Sequence, residues 1–397
     1  MISVEFQESN FTEWVMSRVD CSRPTVLSLV ECFAEIEDPR IERTRLHSLE
    51  EILVLAVLAV IAGAEGWEDI EDYGKHKLPW LRRFLKFKNG IPSHDTISRV
   101  FRALKPGVFQ EAFMTWVHSV HTELGLKQIA IDGKSLRRSH DHASLKNMLH
   151  SVCAWSVENH LVLGEQAVDE KSNEITAIPK LLDQLVLKGA IVTIDAMGCQ
   201  KEIVEKITDG GGEYVLGAKD NHPKLCEAIA QHFTAAHEAD FKGFDVRHYQ
   251  TDEKGHGRVE TRHYYQSSIP ESMREQTDQW AKMKTICQVV NLTERDGQET
   301  SEVRYYISSL TLGVKRFASA ARGHWGIENS LHWVLDMSFN EDQCRIRKDH
   351  GAENFALLRR FAIGIIKQDS SKGSIRRKRK KAAWDDSFLL TLLQSMT

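Results

Sequence analysis

Apolar residues recur at helical spacing through the first third of the chain, up to about Leu126. "SLEEILVLAVLAVIAGA" opens with Ser48 as a predicted N-cap and Glu50 and Glu51 in the first turn. Its apolar run, Ile52 to Ala64, is shorter than the roughly 20 residues needed to span a bilayer, so a buried helix is expected. "LPWLRRFLKF" sets basic residues between aromatics. "NGIPSHDTISRVFRALKP" breaks at Gly-Ile-Pro, offers Ser93 as a cap, and spaces Ile97, Val100, Phe101 and Leu104 along one face. His94, Ser98, Arg99 and Arg102 lie off that stripe. An Arg-bearing helix after a tight turn fits a helix-turn-helix DNA reader or an ordinary amphipathic surface helix, and the pattern alone favours the second.

From Lys127 the period shortens. "QIAID", "MLHSVCAWSV" and "HLVLGEQAV" read as strands, the last two joined as a hairpin by "ENH". "TAIPKLLDQLVLKG" and "KEIVEKITDGG" read as helices, while "AIVTIDA" and "EYVLGAK" read as buried strands. The order β-β-β-α-β-α-β is the ribonuclease-H-like arrangement, by analogy of fold. Two Gly-containing hairpins are predicted between about Cys226 and Leu310, around "TDEKGHGR" and "ERDGQETSE". "GVKRFASAARGHWGIENSLHWVLDMSF" and "GAENFALLRRFAIGIIK" return to helical spacing. The expected fold is therefore α/β: a ribonuclease-H-like catalytic domain with a β-rich insertion, preceded by an all-helical N-terminal domain. The expected divisions are 1–126 (helical), 127–225 (first catalytic part), 226–310 (β-rich insertion), 311–370 (C-terminal helices) and 371–397 (basic tail and terminal segment).

Composition narrows the class. Hydrophobic residues make up 42% of 397 and there are nine tryptophans, enough for a sizeable core. The net charge of −4 means that nucleic-acid binding must come from local patches. One such run is "KGSIRRKRKK" (Lys372 to Lys381), read either as a solvated mobile segment or as a phosphate contact. Seven scattered cysteines without a CxxC argue for reduced thiols and against a zinc site. The start "MISVEFQESNFTEW" lacks a basic region followed by an apolar one, so no secretory leader and a cytoplasmic location are expected.

Asp132 and Asp195 share a local context, each at the C-terminal end of a short apolar strand, "IAID" and "VTID". Ligands of open α/β sheets bind beyond that edge. Paired carboxylates repel unless a divalent cation lies between them, and an all-oxygen set suits Mg²⁺ or Mn²⁺. Each aspartate is equally able to start a turn. Within "ARGHWGIENSLHW", Glu328 has His324 one turn before and His332 one turn after, beside Trp325, Leu331 and Leu335. Such a polar stripe among large apolar residues fits an active-site wall, or else an ion-paired helix surface.

These blocks in order ("IAIDGKSLRRS", "TIDAMGCQKEI", "EYVLGAKDNH", "HGRVETR" and "RGHWGIENSLHWVLDMSFNEDQCRIRK") resemble the DDE transposases of bacterial insertion sequences. Within the IS4-like superfamily they are most similar to the ISAs1 group, which includes the H-repeat-associated proteins. "DPR" (Asp38 to Arg40) and "IPSHDTISRVF" resemble the domain preceding the catalytic one in that group. The resemblance implies Asp132, Asp195 and Glu328 as catalytic residues holding two Mg²⁺ (or Mn²⁺) ions. It implies cleavage of phosphodiesters at element ends and strand transfer into target DNA. Where the broader superfamily carries Tyr, Arg and Lys around its Glu, this chain has Ala321, His324 and Leu335, whereas Arg322 and Trp325 match.

Candidate DNA-phosphate contacts are therefore Lys134, Arg137, Arg138, Lys219, Asn221, His256, Arg258, Arg322, His324 and His332. Arg99 and Arg102 are candidates for reading element ends. The partner expected is double-stranded DNA, without a membrane, bound by a homodimer. A ribonuclease-H-like nuclease without strand transfer, and a DNA-binding protein that has lost catalysis, are the competing functions.

Overall fold

The computed structural model describes residues 26–120, 127–139, 148–168, 172–255 and 257–394. The N-terminal region is helical: α1 (Val26–Ala34), α2 (Leu49–Ile61), α3 (Trp67–Leu81), α4 (His94–Ala103) and α5 (Pro106–Val120). In α2 every residue from Ile52 to Ile61 is fully buried, as a helix apolar on all sides must be. Ser48 occupies the N-cap position of α2, but its hydroxyl makes no capping bond. Glu51 is drawn instead to the backbone N–H of Phe87 (2.7 Å). Ser93 does cap α4, accepting from Thr96 N–H, and Ile97, Val100 and Phe101 form the buried stripe the spacing predicts.

The sheet has nine strands in the order β3-β2-β1-β4-β5-β9-β8-β7-β6. These are β1 (Gln128–Ser135), β2 (His150–Ser156), β3 (Leu161–Ala167), β4 (Ile191–Ile194), β5 (Glu213–Ala218), β6 (Val246–Gly255), β7 (Arg258–Ser268), β8 (Thr285–Arg295) and β9 (Gln298–Ser308). β1 runs parallel to β4, with Ile131 opposite Ile194, and β4 runs parallel to β5. The remaining neighbours are antiparallel.

On one face pack α6 (Glu174–Leu182), α7 (Lys201–Asp209) and α8 (Pro223–Glu238). The helix predicted over 176–189 is shorter than its spacing suggests. Leu187 reaches the core and Leu185 packs beside it from a turn rather than from a helix. After the short α9 (Arg274–Thr277) and β9, the opposite face is covered by α10 (Val314–Ile327), a π-helical turn (Glu328–His332), α11 (Trp333–Phe339) and α12 (Gly351–Gln368). The N-terminal helices share one apolar cluster with these elements and with Ala130, Cys153 and Trp155 of the sheet. Trp67 stacks on Phe101 and meets Phe355 edge-on, tying α3, α4 and α12 together.

The hairpins of 246–308 are longer than predicted. β8 and β9 meet at a two-residue turn, Asp296-Gly297, where both residues have positive φ (52° and 76°), the geometry that matches strand twist. Polar residues read as loop are therefore strand. The basic run also differs from a mobile tail. It forms α13 (Ile375–Trp384), followed by α14 (Asp386–Gln394). Lys378 pairs with Asp369 (2.9 Å), and Arg379 donates to the carbonyls of Val60 and Ser338 while lying over the Phe339 ring. Arg376, Arg377, Lys380 and Lys381 remain exposed. Among the described residues no disulfide forms, and no helix is long and apolar enough to cross a membrane.

Buried Asn354 of α12 donates to the carbonyls of Phe101 (2.7 Å) and Leu104 (2.8 Å), closing the C-terminal end of α4. Asn354→Leu strands both acceptors. Urea denaturation is expected to show a loss of about 2–4 kcal/mol, and a loss under about 0.5 kcal/mol would contradict this role.

Candidate active site

Alternation along β1 sends Gln128, Ala130, Asp132 and Lys134 toward α10 and α11, and Ile129 and Ile131 toward α6 and α7. The parallel pairing of β1 with β4 brings Asp195, one residue past Ile194, to the same edge as Asp132. Both aspartates also do the local work of turns: Asp132 Oδ1 accepts from Gly133 N–H (2.9 Å), and Asp195 Oδ1 accepts from Met197 (3.0 Å) and Gly198 (3.4 Å).

Helix α10 lies close over these strands. Gln128 Nε2 donates to the Ala320 carbonyl (2.7 Å) and to Thr193 Oγ1 (3.2 Å), and His324 Nδ1 stands 3.2 Å from the same hydroxyl. A Cβ at Gly323 would overlap the Gln128 amide, so this approach requires glycine. The π turn then begins at Glu328. Such turns, bonded i→i+5, recur at functional sites, and Glu328 and His332, four residues apart, share one helix face. Ligand atoms of Asp132, Glu328 and His332 all lie within 4.8 Å of one another. Asp195 lies outside that tight group, yet its charge reaches Asp132.

The electrostatics are those of an uncompensated anionic cluster. Burial, followed by the charges of Asp195, Glu328 and Glu174, pushes Asp132 up to about 7. Burial and then Glu174 also raise Asp195. The neighbouring imidazoles do not supply positive charge. Burial pushes His324 down to about 4, and burial with the nearby Arg360 and Lys134 cations pushes His332 down to about 3. Lys134, predicted to hold phosphate, is buried and paired with Asp336 (2.8 Å). An oxygen-rich set, with Asp132 half-buried, Asp195 and Glu328 exposed at its rim and no side-chain cation among its members, is suited to a hard divalent cation.

A cavity of about 700 Å³ opens beside Glu328, between α10 and the long strands β6 to β9. Arg258 and Arg322 line it, paired with Glu260 (2.7 Å) and Glu253 (2.9 Å) respectively. Trp325 carries the Arg304 guanidinium 4.1 Å above its ring on the same wall. Thus Arg258, Arg322 and Glu328 are brought together.

The remaining candidates are dispersed. Arg137 and Arg138 are exposed beyond β1, Arg137 being 3.2 Å from Asp342. Lys219 is exposed, and Asn221 donates to the Ala196 carbonyl (2.7 Å), bracing the segment after Asp195. His332 is buried against Asp132 rather than on a surface open to a DNA backbone. Arg102 pairs with Asp349 (2.7 Å), Arg99 bonds back to the Asp95 carbonyl, and neither lines the cavity. His256 lies outside the described residues.

Sequence reasoning missed Glu174. This first residue of α6 approaches the site so closely that a Cβ at Gly133 would overlap its Oε1. His150 holds it, bridging Glu174 Oε1 and Ser135 Oγ at 2.8 Å each. Its only local signal is an acidic residue at a helix start following a strand.

The fold and site thus define a mixed α/β protein with carboxylates gathered at the edge of parallel strands. The chain belongs to the DDE transposase family. The Transposase DDE domain family matches residues 123–365, and the DDE_Tnp_1-associated family matches residues 30–117. The chain is 42% identical over 370 residues to the "H repeat-associated putative transposase YhhI" of Escherichia coli (strain K12), covering 92% of this chain and 97% of that one. It is 40% identical over 375 residues to the "Putative transposase YncI" of Escherichia coli O157:H7, covering 94% and 95%. A solved piggyBac transposase synaptic complex with hairpin DNA aligns over 97% of this chain and 80% of its own. At 10% identity and a TM-score of 0.38 it is too distant to carry fold or function across.

The Asp132 shift has a sign that can be tested. The folded carboxyl keeps its proton up to about pH 7, against an ordinary value of 3.8. Between those values the folded state binds more protons, so this group's contribution to stability falls as pH rises. The two histidines act oppositely, favouring unfolding as pH drops below 6.5. The difference between wild type and Asp132→Asn isolates the carboxyl. In EDTA the variant is expected to be more stable by about 1–3 kcal/mol at pH 7 and equal near pH 4. Equal stability at both pH values would contradict the desolvated cluster.

Proposed function

We propose that this chain is a metal-dependent DNA transposase of the ISAs1 group, cutting phosphodiesters at element ends and joining the 3′-hydroxyl to target DNA. The observation that carries this reading is the approach of Glu328, from a helix far along the chain, to half-buried Asp132, whose carboxyl also feels the charge of Asp195 on the neighbouring strand. The strand order β3-β2-β1-β4-β5, with β2 alone antiparallel, supports a ribonuclease-H-like catalytic core. The N-terminal helices of 26–120 and the β-rich 226–310 are read as DNA-binding additions to it.

The residues present fit divalent cations. The donors are mainly carboxylate oxygens, the repulsion felt by Asp132 is unrelieved, and His332 Nδ1 faces Asp132 Oδ2 at 3.5 Å without a hydrogen bond. Asp132, Asp195 and Glu328 would hold two Mg²⁺ or Mn²⁺ ions, whose chemistry is Lewis-acid stabilisation of the attacking and leaving oxygens. The protein's own contribution is positional. Thr193, Gln128 and His324 fix α10 on the strands, and with it Glu328. Arg258 and Arg322 line the adjoining cavity, where they can exchange their carboxylate partners for backbone phosphates. The exposed Arg137, Arg138 and Lys219 and the outer face of α13 extend the cationic surface, and Arg99 and Arg102 on α4 are proposed to read the ends. Pairing two ends requires at least a homodimer, acting on cytoplasmic, nucleoid DNA.

End-containing DNA incubated with the full-length protein and Mg²⁺ or Mn²⁺ is expected to be nicked and joined to a target duplex. Asp132→Ala, Asp195→Ala and Glu328→Gln should each reduce nicking by about 10²-fold or more without loss of the folded state. Nicking without joining would replace this reading with a nuclease. Binding of ends without metal-dependent nicking would replace it with a DNA-binding protein.

A further inference from the structure

We infer that His332 is a nitrogen ligand of the metal centre, sharing one cation with Asp132 and Glu328, so that the centre favours Mn²⁺ over Mg²⁺. This rests on the transposase reading of the same carboxylates and adds a donor that the DDE pattern does not include. Three features carry it.

The first is spacing. His332 Nδ1 stands 3.5 Å from Asp132 Oδ2, longer than a good hydrogen bond. Two ligands on one ion, each about 2.1 Å from it, sit roughly 3.0–3.5 Å apart. The ligand atoms of all three residues fit within the 4.8 Å span that a single cation can bridge.

The second is an unmet polar group. His332 is 9% exposed, and its Nδ1, the nitrogen that faces Asp132, makes no hydrogen bond, its approach to Asp132 Oδ2 being 3.5 Å. An imidazole buried against two carboxylates without a hydrogen bond to secure it is costly unless something else binds it. At that depth a passing DNA phosphate does not reach it.

The third is the backbone. Glu328 and His332 are the first and last residues of the π turn. Four residues apart, they share one helix face, here the face that meets Asp132.

Mixing an imidazole into a carboxylate set changes metal choice. Mg²⁺ holds to oxygen ligands, whereas first-row transition ions accept nitrogen readily. The test uses metal-free full-length protein, with Mn²⁺ and Mg²⁺ as probes. Pulsed EPR of the Mn²⁺ complex is expected to show ¹⁴N coupling from a directly bound imidazole, absent in His332→Gln and retained in His324→Gln. Calorimetric titration should show Mn²⁺ affinity falling about 10-fold or more in His332→Gln, with Mg²⁺ affinity changing less than about threefold. The wild-type spectrum needs no variant, so a misfolded substitution does not blunt the test. Mn²⁺ that binds in an Asp132-dependent way without ¹⁴N coupling would overturn the role of His332 and leave the transposase reading standing. Mn²⁺ binding indifferent to Asp132→Asn would overturn both.

Discussion

The parallel pairing of β1 with β4 is the constraint on which the rest depends. Its register sets Ile131 against Ile194, so the next residue of each strand, Asp132 and Asp195, emerges at one edge. The strands are buried on both faces, and the carboxylates begin where that burial ends. Asp132 is therefore largely desolvated and feels the charge of Asp195, while the more exposed Asp195 feels that of Glu174. Acidic groups held in that state are a recurrent mark of functional sites.

The covering helix converts this edge into a site. Gly323 lets α10 settle on Gln128, and Thr193 collects Gln128 and His324 at one hydroxyl. The π turn follows at once, so Glu328 and His332 are aimed by a helix already fixed to the strands they complement. Behind them a buried network holds the layers together. Arg360 of α12 joins Glu341 (3.0 Å) and Glu165 of β3 (3.1 Å), and its positive charge helps to keep His332 neutral. Because α12 also packs on the N-terminal helices, the strength of the core and the geometry of the site are coupled.

Much of this was legible in local sequence. Short apolar runs ending in aspartate, and a helix with His, Glu and His one turn apart, are patterns written within a dozen residues. What escaped depends on partners far along the chain. Lys134 looked free for phosphate, but Asp336, 202 residues away, claims it. Glu174 reaches the site only because Gly133 leaves room. The basic run looked solvated, yet Arg379 finds carbonyls of α2 and its following turn. Strand lengths in 246–308 were underestimated because polar residues on long, solvent-facing strands read as loop. The two-residue turn at Asp296-Gly297 is a local signal, but its flanks hid it.

The central claim is that Asp132, Asp195 and Glu328 together cage hard divalent cations. Crystals of the full-length protein soaked in Mn²⁺ and measured at the manganese absorption edge test it most directly. The account predicts two anomalous peaks about 3.5–4 Å apart, both within bonding distance of Asp132 oxygens. An ordered pocket with no peak beside Asp132 at saturating Mn²⁺ would contradict it.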